Sequence, residues 1–140
     1  MSLYNDIRAA LEVAVSAVSG IPATANRVFD GMEYSPVVGT AYMRCTFIPN
    51  TARARTLGPP VLEHLGLFQV SLYYPAGPTN RTAAETLADT IKSAFALDVT
   101  LSKNSTRVRI RYAERGQALV ENGWVHIPIT ISWYVHSQSY

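Results

Sequence analysis

The segment Val125–Val135 alternates between apolar and polar residues, and this pattern is typical of a half-buried β-strand. Successive side chains of a strand point to opposite faces, so one stripe is apolar and the other is mostly polar. The apolar stripe consists of Val125, Ile127, Ile129, Ile131, Trp133 and Val135. The other stripe carries His126, Thr130, Ser132, Tyr134 and His136. We therefore expect a sheet with one buried face and one face that is open to water or to a partner.

The composition predicts one soluble globular domain over residues 1–140, since 48% of the residues are hydrophobic. No run approaches the ~20 apolar residues of a membrane-spanning helix, so we expect no membrane contact. The single cysteine, Cys45, excludes an intramolecular disulfide and favours a reducing compartment. Ten arginines against two lysines favour recognition of another molecule, because arginine makes fixed, multi-donor contacts.

The apolar spacing predicts two amphipathic helices and several strands. Apolar residues recur at helical spacing over 3–18 and over 80–96. The segments that predict strands are 40–48, 67–74, 99–101, 106–112 and 125–135. This order predicts an α+β two-layer sandwich, with both helices on one face of a sheet of four to six strands. We expect an antiparallel sheet, with a mixed sheet as the alternative.

Some segments depart from regular patterns. Residues 49–66 predict a long irregular connection, and such connections are usually functional or mobile. Pro128 cannot donate to a sheet ladder, so we expect the last strand to lie at an edge or to bulge there. In the segment 106–112, Val108, Ile110 and Tyr112 are expected to face inward. A polar loop is expected over 114–122.

The outward stripes of the strands predict a face that is rich in arginine and tyrosine and free of acids. A solvated face normally intersperses charges of both signs. Arginine and tyrosine are also residue types that carry binding energy at interfaces. We interpret this face as a docking surface, and the alternative is a solvated face shielded by arginine stems. Its expected members are Tyr42, Arg44, Thr46, Gln69, Ser71, Tyr73, Arg107, Arg109, Arg111, His126, Thr130, Ser132 and Tyr134.

Two kinds of partner suit such a face. The first is a protein surface with carboxylates, which a second copy offers at Glu12 on the first helix and at Glu85 and Asp89 on the second. That association is head-to-tail, the geometry that produces rings when it closes. The second is single-stranded nucleic acid, with tyrosines stacking on bases and arginines at phosphates. The chain has none of the aromatic sequence motifs of common RNA-binding domains.

The residues predict no enzyme, and we expect no metal and no cofactor. His64, His126 and His136 share no metal-ligand spacing with one another or with Cys45. Cys45 belongs to an inward stripe, where a thiol behaves as a small apolar group. Isolated glycines at 58, 66 and 77 do not form a phosphate-binding loop.

Three segments together resemble the tail terminator, or tail completion, proteins of long-tailed bacteriophages. Gly66–Gly77 resembles that family's strand leading into a Pro-x-Gly turn, and Ala83–Phe95 resembles the helix that follows. Asn122–Trp133 resembles its closing strand, and Ile21-Pro22 after the first helix is also similar. The family has no active-site motif, so the resemblance is one of pattern and order.

The resemblance implies a structural virion assembly protein that forms a ring, typically of six copies, at the head-proximal end of the tail tube. Its partners would be further copies, the tail tube protein and the head–tail connector, with DNA only as passing cargo. Assembly would take place in the host cytoplasm. The loop arginines Arg53 and Arg55 would reach toward the tube or the connector. Another phage neck or head-closure protein is the alternative, and a module for single-stranded nucleic acid is a weaker one.

Overall fold

Two α-helices and eight β-strands make up the part of the chain that the computed structural model describes, residues 3–50, 53–54, 61–96, 99–103 and 106–138. The helices are α1 (Leu3–Ser16) and α2 (Pro78–Ala94). Neither of these described helices is long and apolar enough to cross a membrane. The strands are β1 (Arg27–Val28), β2 (Tyr42–Pro49), β3 (Arg53–Ala54), β4 (Val61–Pro75), β5 (Thr100–Lys103), β6 (Thr106–Arg115), β7 (Leu119–Glu121) and β8 (Trp124–Gln138).

The described strands join one mixed sheet in the order β1-β2-β4-β8-β6-β5, with β3 beside β4 and β7 beside β8. Strand β1 is parallel to β2, and the other described pairs are antiparallel. The predicted α+β class is confirmed. The sheet has more strands than the four to six predicted, because β1, β3 and β7 are two or three residues long. Strands that short show no alternation from which a sequence pattern can be recognised.

Both helices pack on the same face of the sheet, as predicted. Helix α1 lies against β5 and β6, and α2 lies against β4, β6 and β8. The apolar stripe of β8 points into this layer, and its six members are at most 3% exposed. Burial of an apolar side chain of this size stabilises the folded state by ~1.5–3 kcal/mol, so the stripe is the centre of the core. The helix residues that cover it include Ile7, Leu11, Val15, Ala84, Leu87, Ala88 and Ile91.

Strands β4 and β8 form the longest pair in the sheet. Their antiparallel register runs without interruption from Val61 opposite Gln138 to Pro75 opposite Trp124. The predicted irregular connection over 49–66 is therefore wrong for residues 61–66, which belong to β4, and for β3, which pairs with β4. The local sequence does not alternate clearly there, and the strand conformation is fixed by hydrogen bonds to distant partner strands. Residues 51–52 and 55–60 of that connection lie outside the described residues.

Pro128 lies inside the sheet, so the expectation of an edge or bulged position is wrong. It pairs with Ser71 of β4, and on its other side β6 ends at Arg115 while β7 begins only at Leu119. Its carbonyl oxygen accepts a hydrogen bond of 2.7 Å from the Gly116 N–H. The nitrogen and oxygen of one strand residue point to the same side. The missing N–H of Pro128 therefore faces the gap between β6 and β7, where no ladder bond is lost.

Gly66 allows the indole of Trp133 to lie flat across β4. The two residues are opposite each other in the β4–β8 register, and the indole stacks on the Phe47 ring with centroids 5.3 Å apart. A Cβ at position 66 would overlap the Trp133 ring and would lie 2.6 Å from the carbonyl oxygen of Ile48. The absence of a side chain at this position is therefore a packing requirement.

We expect Gly66→Ala to destabilise the fold by ~1–3 kcal/mol, because the added methyl group meets a buried ring and a backbone carbonyl. Chemical denaturation monitored by Trp fluorescence measures the loss. Gln69→Ala, on the outer side of the same strand, is the matched control and should lower the free energy of unfolding clearly less than Gly66→Ala does. Equal stability of Gly66→Ala and the unmodified chain would contradict this packing.

Candidate interaction surface

We refer to the helix-free face of the sheet as the outer face. The register sets its members, since residues directly opposite each other on neighbouring strands point to the same side. Arg44 is opposite Ser71, which is opposite Pro128, and Gln69 is opposite Thr130. The structure thus brings the predicted outward residues of β2, β4, β6 and β8 together on one surface. Those on the paired positions are Tyr42, Arg44, Thr46, Gln69, Ser71, Tyr73, His126, Thr130, Ser132, Tyr134, Arg107 and Arg109.

Four arginines of this surface are solvent-exposed: Arg44, Arg107, Arg109 and Arg111. Arg109 is opposite Tyr134 of β8, and Arg111 lies where the β6–β8 register shifts. Within the described residues, none of the four has an ion-pair partner. None of them lies beneath a helix. The structure therefore presents cationic groups that are free to contact another molecule.

An aromatic ladder crosses the outer face at one end. The Tyr42 and Tyr73 rings stack with centroids 4.6 Å apart, and the Tyr73 and His126 rings stack at 4.5 Å. Tyr34 adds a further ring at 5.0 Å from Tyr42, and Trp124 meets Tyr42 edge-on. Tyr42 is consequently only 7% exposed, which corrects the prediction that it is open for contact. Sequence patterning gives the facing of Tyr42 but does not reveal that Tyr34 covers it.

His126 is the last ring in this row of stacked side chains, and it is partly buried. Its Nε2 atom is buried and has no hydrogen-bond partner in the described part of the chain. Burial lowers the pKa of His126, and the nearby Glu121 charge opposes that shift. Burial likewise lowers the pKa of His64, which shares a 3.1 Å hydrogen bond with the Tyr4 hydroxyl on the helix side of the sheet. Both imidazoles are therefore held toward the neutral form.

Three acids also belong to the outer face, so the prediction of an acid-free face is wrong. Glu121 is opposite Trp124 of β8 and is exposed. Glu114 is opposite Thr130 of β8 and is exposed. Glu63 is opposite His136, and its buried Oε2 atom accepts a 2.9 Å hydrogen bond from Nε2 of that histidine. All three residues fall in segments that the sequence pattern predicts as loops. The face remains basic, since four exposed arginines outnumber the three acids.

Tyr112 is an outer-face residue that the sequence pattern misplaces. The β6–β8 register shifts between Ile110 and Tyr112, so that Tyr112 is opposite Ser132 and is 44% exposed. The extra residue at position 111 is a β-bulge, which moves the following side chains to the other side. The predicted inward position of Tyr112 is therefore wrong, whereas Val108 and Ile110 do face inward. No local sequence signal marks this bulge.

The predicted loop arginines are only partly within the described residues. Arg53 belongs to β3 and pairs with Glu63 across the β3–β4 ladder. Arg55 lies outside the described residues. Their suggested contact with another assembly component stays a prediction.

The three predicted helix acids already have arginine partners in the same chain. The Glu12 carboxylate is 4.0 Å from Nε of Arg8, and that of Glu85 is 3.1 Å from Nε of Arg81. Asp89 accepts a 2.9 Å hydrogen bond from Nε of Arg115, which reaches from β6 to α2. Partial burial raises the pKa of Glu12.

Cys45 is buried in the core, as its stripe predicts. Burial, together with the charges of Glu12 and Asp30, raises the pKa of Cys45 to about 12. A thiol with such a pKa is rarely ionised near neutral pH and is a poor nucleophile. Among the described residues, no group of three or more His, Cys, Asp or Glu side chains is placed to hold a metal ion.

Acidification from about pH 7.5 to about pH 5.5 is expected to lower the free energy of unfolding. As pH falls past the ordinary histidine value of 6.5, the unfolded chain takes up protons at His126 and His64 that the folded chain does not. Urea denaturation at the two pH values measures this loss. His126→Phe keeps a ring in the stack but does not titrate, so its pH dependence should be weaker. An undiminished dependence in that variant would contradict the role of His126.

Comparison with known proteins identifies similar structures and a matching family. A solved structure aligns with a TM-score of 0.73 and 23% identity over 100% of this chain and 98% of the other. A chain from the virion of a native gene transfer agent (GTA) particle aligns with a TM-score of 0.63 and 18% identity, over 97% and 98%. These identities show a common fold alone, and no curated protein matches the chain. The family model described as "Phage tail terminator protein" matches residues 6–133, and the chain therefore belongs to this family.

Proposed function

We propose that the chain forms a ring of six copies at the head-proximal end of a phage tail tube. There the ring ends tube polymerisation and provides the surface that joins the head. Family membership assigns the chain a structural role in the phage tail and a place in the virion. The observation that carries the finer proposal is the outer face, a basic surface on a structural protein with no helix above it. Assembly in the host cytoplasm is part of the same proposal.

The exposed arginines of the outer face suit two roles in such a ring. They can contact carboxylates of a neighbouring copy or of the tail tube protein, or they can line the lumen through which DNA passes. A lumen needs only sequence-independent attraction to phosphates, which arginines supply. Arg107, Arg109 and Arg111 have no ion-pair partner among the described residues, which supports both roles because no ion pair with those residues has to be broken first.

The helix acids Glu12, Glu85 and Asp89 stay predicted acceptors for a neighbour's arginines. Their intramolecular ion pairs involve partly exposed side chains, and such pairs contribute at most ~1 kcal/mol each. Exchange for a more buried intermolecular pair is therefore energetically accessible. Arg53 and Arg55 are proposed to approach the tube or the connector.

Binding of single-stranded nucleic acid is less well supported than ring formation. That function needs open aromatic faces on which bases stack. The faces of Tyr42 and Tyr73 are occupied by each other and by His126. An enzymatic role is not part of the proposal, because the outer face offers positive charge but no activated nucleophile.

Particles assembled without this chain are expected to carry overlong tail tubes, because nothing then stops the addition of tube subunits. Electron microscopy of such particles measures tube length directly, and supplying the chain in trans should restore it. Tubes of normal length on heads that leak DNA would contradict the terminator role and indicate a head-closure protein.

We expect Arg109→Glu to leave the monomer folded and to lower the association constant of assembly at least about tenfold. This corresponds to a loss of ~1.4 kcal/mol of binding free energy. A reversed charge at the centre of the basic surface repels its partner. Sedimentation with and without tail tube protein measures assembly, and circular dichroism checks the fold. Thr79→Glu, at an exposed position near the start of α2, is the control for added negative charge. Identical sedimentation of Arg109→Glu and the unmodified chain would exclude Arg109 from the interface.

A further inference from the structure

The two lateral ends of the sheet differ in charge and in backbone pairing. At one end, β1 lies outside β2, and the segment 29–41 connects these two parallel strands. At the other end, β5 covers only part of β6. A protein that forms a ring by head-to-tail contacts uses two different surfaces on each copy. The ends of the sheet are such a pair of surfaces.

The segment Met32–Val38 at the first end is largely exposed, and Tyr34 anchors it through its contact with Tyr42 and a 3.0 Å hydrogen bond from its hydroxyl to Asn26. The structure records no backbone hydrogen bond from Glu33–Pro36 to other described residues. Val38 is 94% exposed, and Met32 and Val37 are also exposed. Between Asp30 and Met43 the sequence contains the acids Asp30 and Glu33 and no lysine or arginine. This segment therefore presents one acid, Glu33, together with exposed apolar side chains and backbone groups that make no hydrogen bonds to other described residues.

The second end has a strand edge, residues 111–115, that has no partner strand among the described residues, and we call it the open edge. Strand β5 pairs with β6 from Thr106 to Arg109, with one further bond from the Ile110 N–H to the Val99 carbonyl. No described strand pairs with that side of the segment 111–115. Unpaired edges are normally covered or charged, because they invite strand addition. Arg111 is exposed here without an ion partner among the described residues.

An apolar groove runs beside this open edge. It has a volume of about 510 Å³ and lies between the C-terminal half of α2 and β6, with Phe95, Ala96, Tyr112 and Ala113 in its lining. Lys92 adds a positive charge to the groove and Asp89 a negative one, and Asp89 is already paired with Arg115. The open edge thus combines an apolar groove with the unpaired charge of Arg111, which complements the exposed apolar side chains and the acid Glu33 at the opposite end of the sheet.

We propose that, in the ring, the segment Met32–Val38 of one copy lies along the open edge 111–115 of the next copy, with Glu33 beside Arg111. Strand addition of this kind gains backbone hydrogen bonds along the edge, and the neighbouring groove receives apolar side chains. Five to seven extended residues span ~17–23 Å, so the segment and the edge match in length. The inference rests on the proposed ring and identifies which surfaces of the copies meet.

The direction of the added segment follows from the position of β5. If Glu33 lies at Arg111 and the segment is antiparallel to β6, residues 34–38 run toward positions 110–107, which β5 already occupies. A parallel orientation places them along the free part of the edge. In that register Ser35 is opposite Ala113. Such an edge-to-edge contact leaves the outer face uncovered for the tube, the connector or DNA.

Charge reversal tests the pairing of Glu33 with Arg111. Glu33→Arg and Arg111→Glu should each reduce the ring fraction at least about tenfold in sedimentation or native mass spectrometry with tail tube protein present. The double variant should recover most of the loss. Glu33→Arg combined with Thr79→Glu is the control and should not recover, because Thr79 lies at the start of α2, away from this edge.

Cysteine cross-linking tests the register. Ser35→Cys with Ala113→Cys should give a covalent ladder of chains on oxidation, whereas Val13→Cys with Ala113→Cys should stay monomeric. The buried Cys45, with its raised pKa, does not compete for oxidation.

Rings that form normally in both charge variants, without cross-linking at 35 and 113, would overturn this inference but not the proposed ring. An unmodified chain that forms no ring, even on tube ends, would overturn the proposed function and this inference with it.

Discussion

The antiparallel pairing of β4 with β8 is the constraint on which the rest of the structure depends. It extends over the full length of both strands and places every apolar residue of the β8 stripe against the helices. A shift by one residue would turn that stripe to water and bring the polar stripe into the core. The cost of such a shift fixes the register. The register in turn sets Gly66 under Trp133 and Tyr73 beside His126.

The outer face follows from this register, and its two halves serve different purposes. At one end the aromatic rings of Tyr34, Tyr42, Tyr73 and His126 cover one another, and the surface there is stabilised within the monomer. At the other end Arg107, Arg109 and Arg111 of β6 have no ion partners in the described part of the chain, whereas Arg115 on the helix side pairs with Asp89. Charged groups without partners contribute little to the stability of a monomer. They are suited to contacts that form only during assembly, which agrees with a structural role in the tail.

The sequence predicts the candidate surface correctly where apolar and polar residues alternate strictly. It fails where a single residue, such as a bulge, turns the following side chains to the other face of the sheet. Arg107 and Arg109 were placed correctly because β6 alternates up to Ile110. The bulge at position 111 then reverses the facing of Tyr112 and brings Glu114 to the outer face. The sequence does not place Glu63 on the outer face, because its segment shows no alternation and becomes a strand only through pairing with β8. Tyr42 was given the correct face, yet its burial depends on Tyr34 from a connecting segment with no regular pattern.

The sequence by itself determined the two amphipathic helices, the inward stripes of the long strands and the buried position of Cys45. These features arise from the period of a helix or a strand, which any window of ten or more residues expresses locally. Tertiary structure alone decided the full length of β4, the bulge in β6, the gap that accommodates Pro128 and the open edge at 111–115. Each of these is set by which distant strand lies alongside, and hydrogen bonds between residues far apart in the chain leave no periodic trace in the sequence.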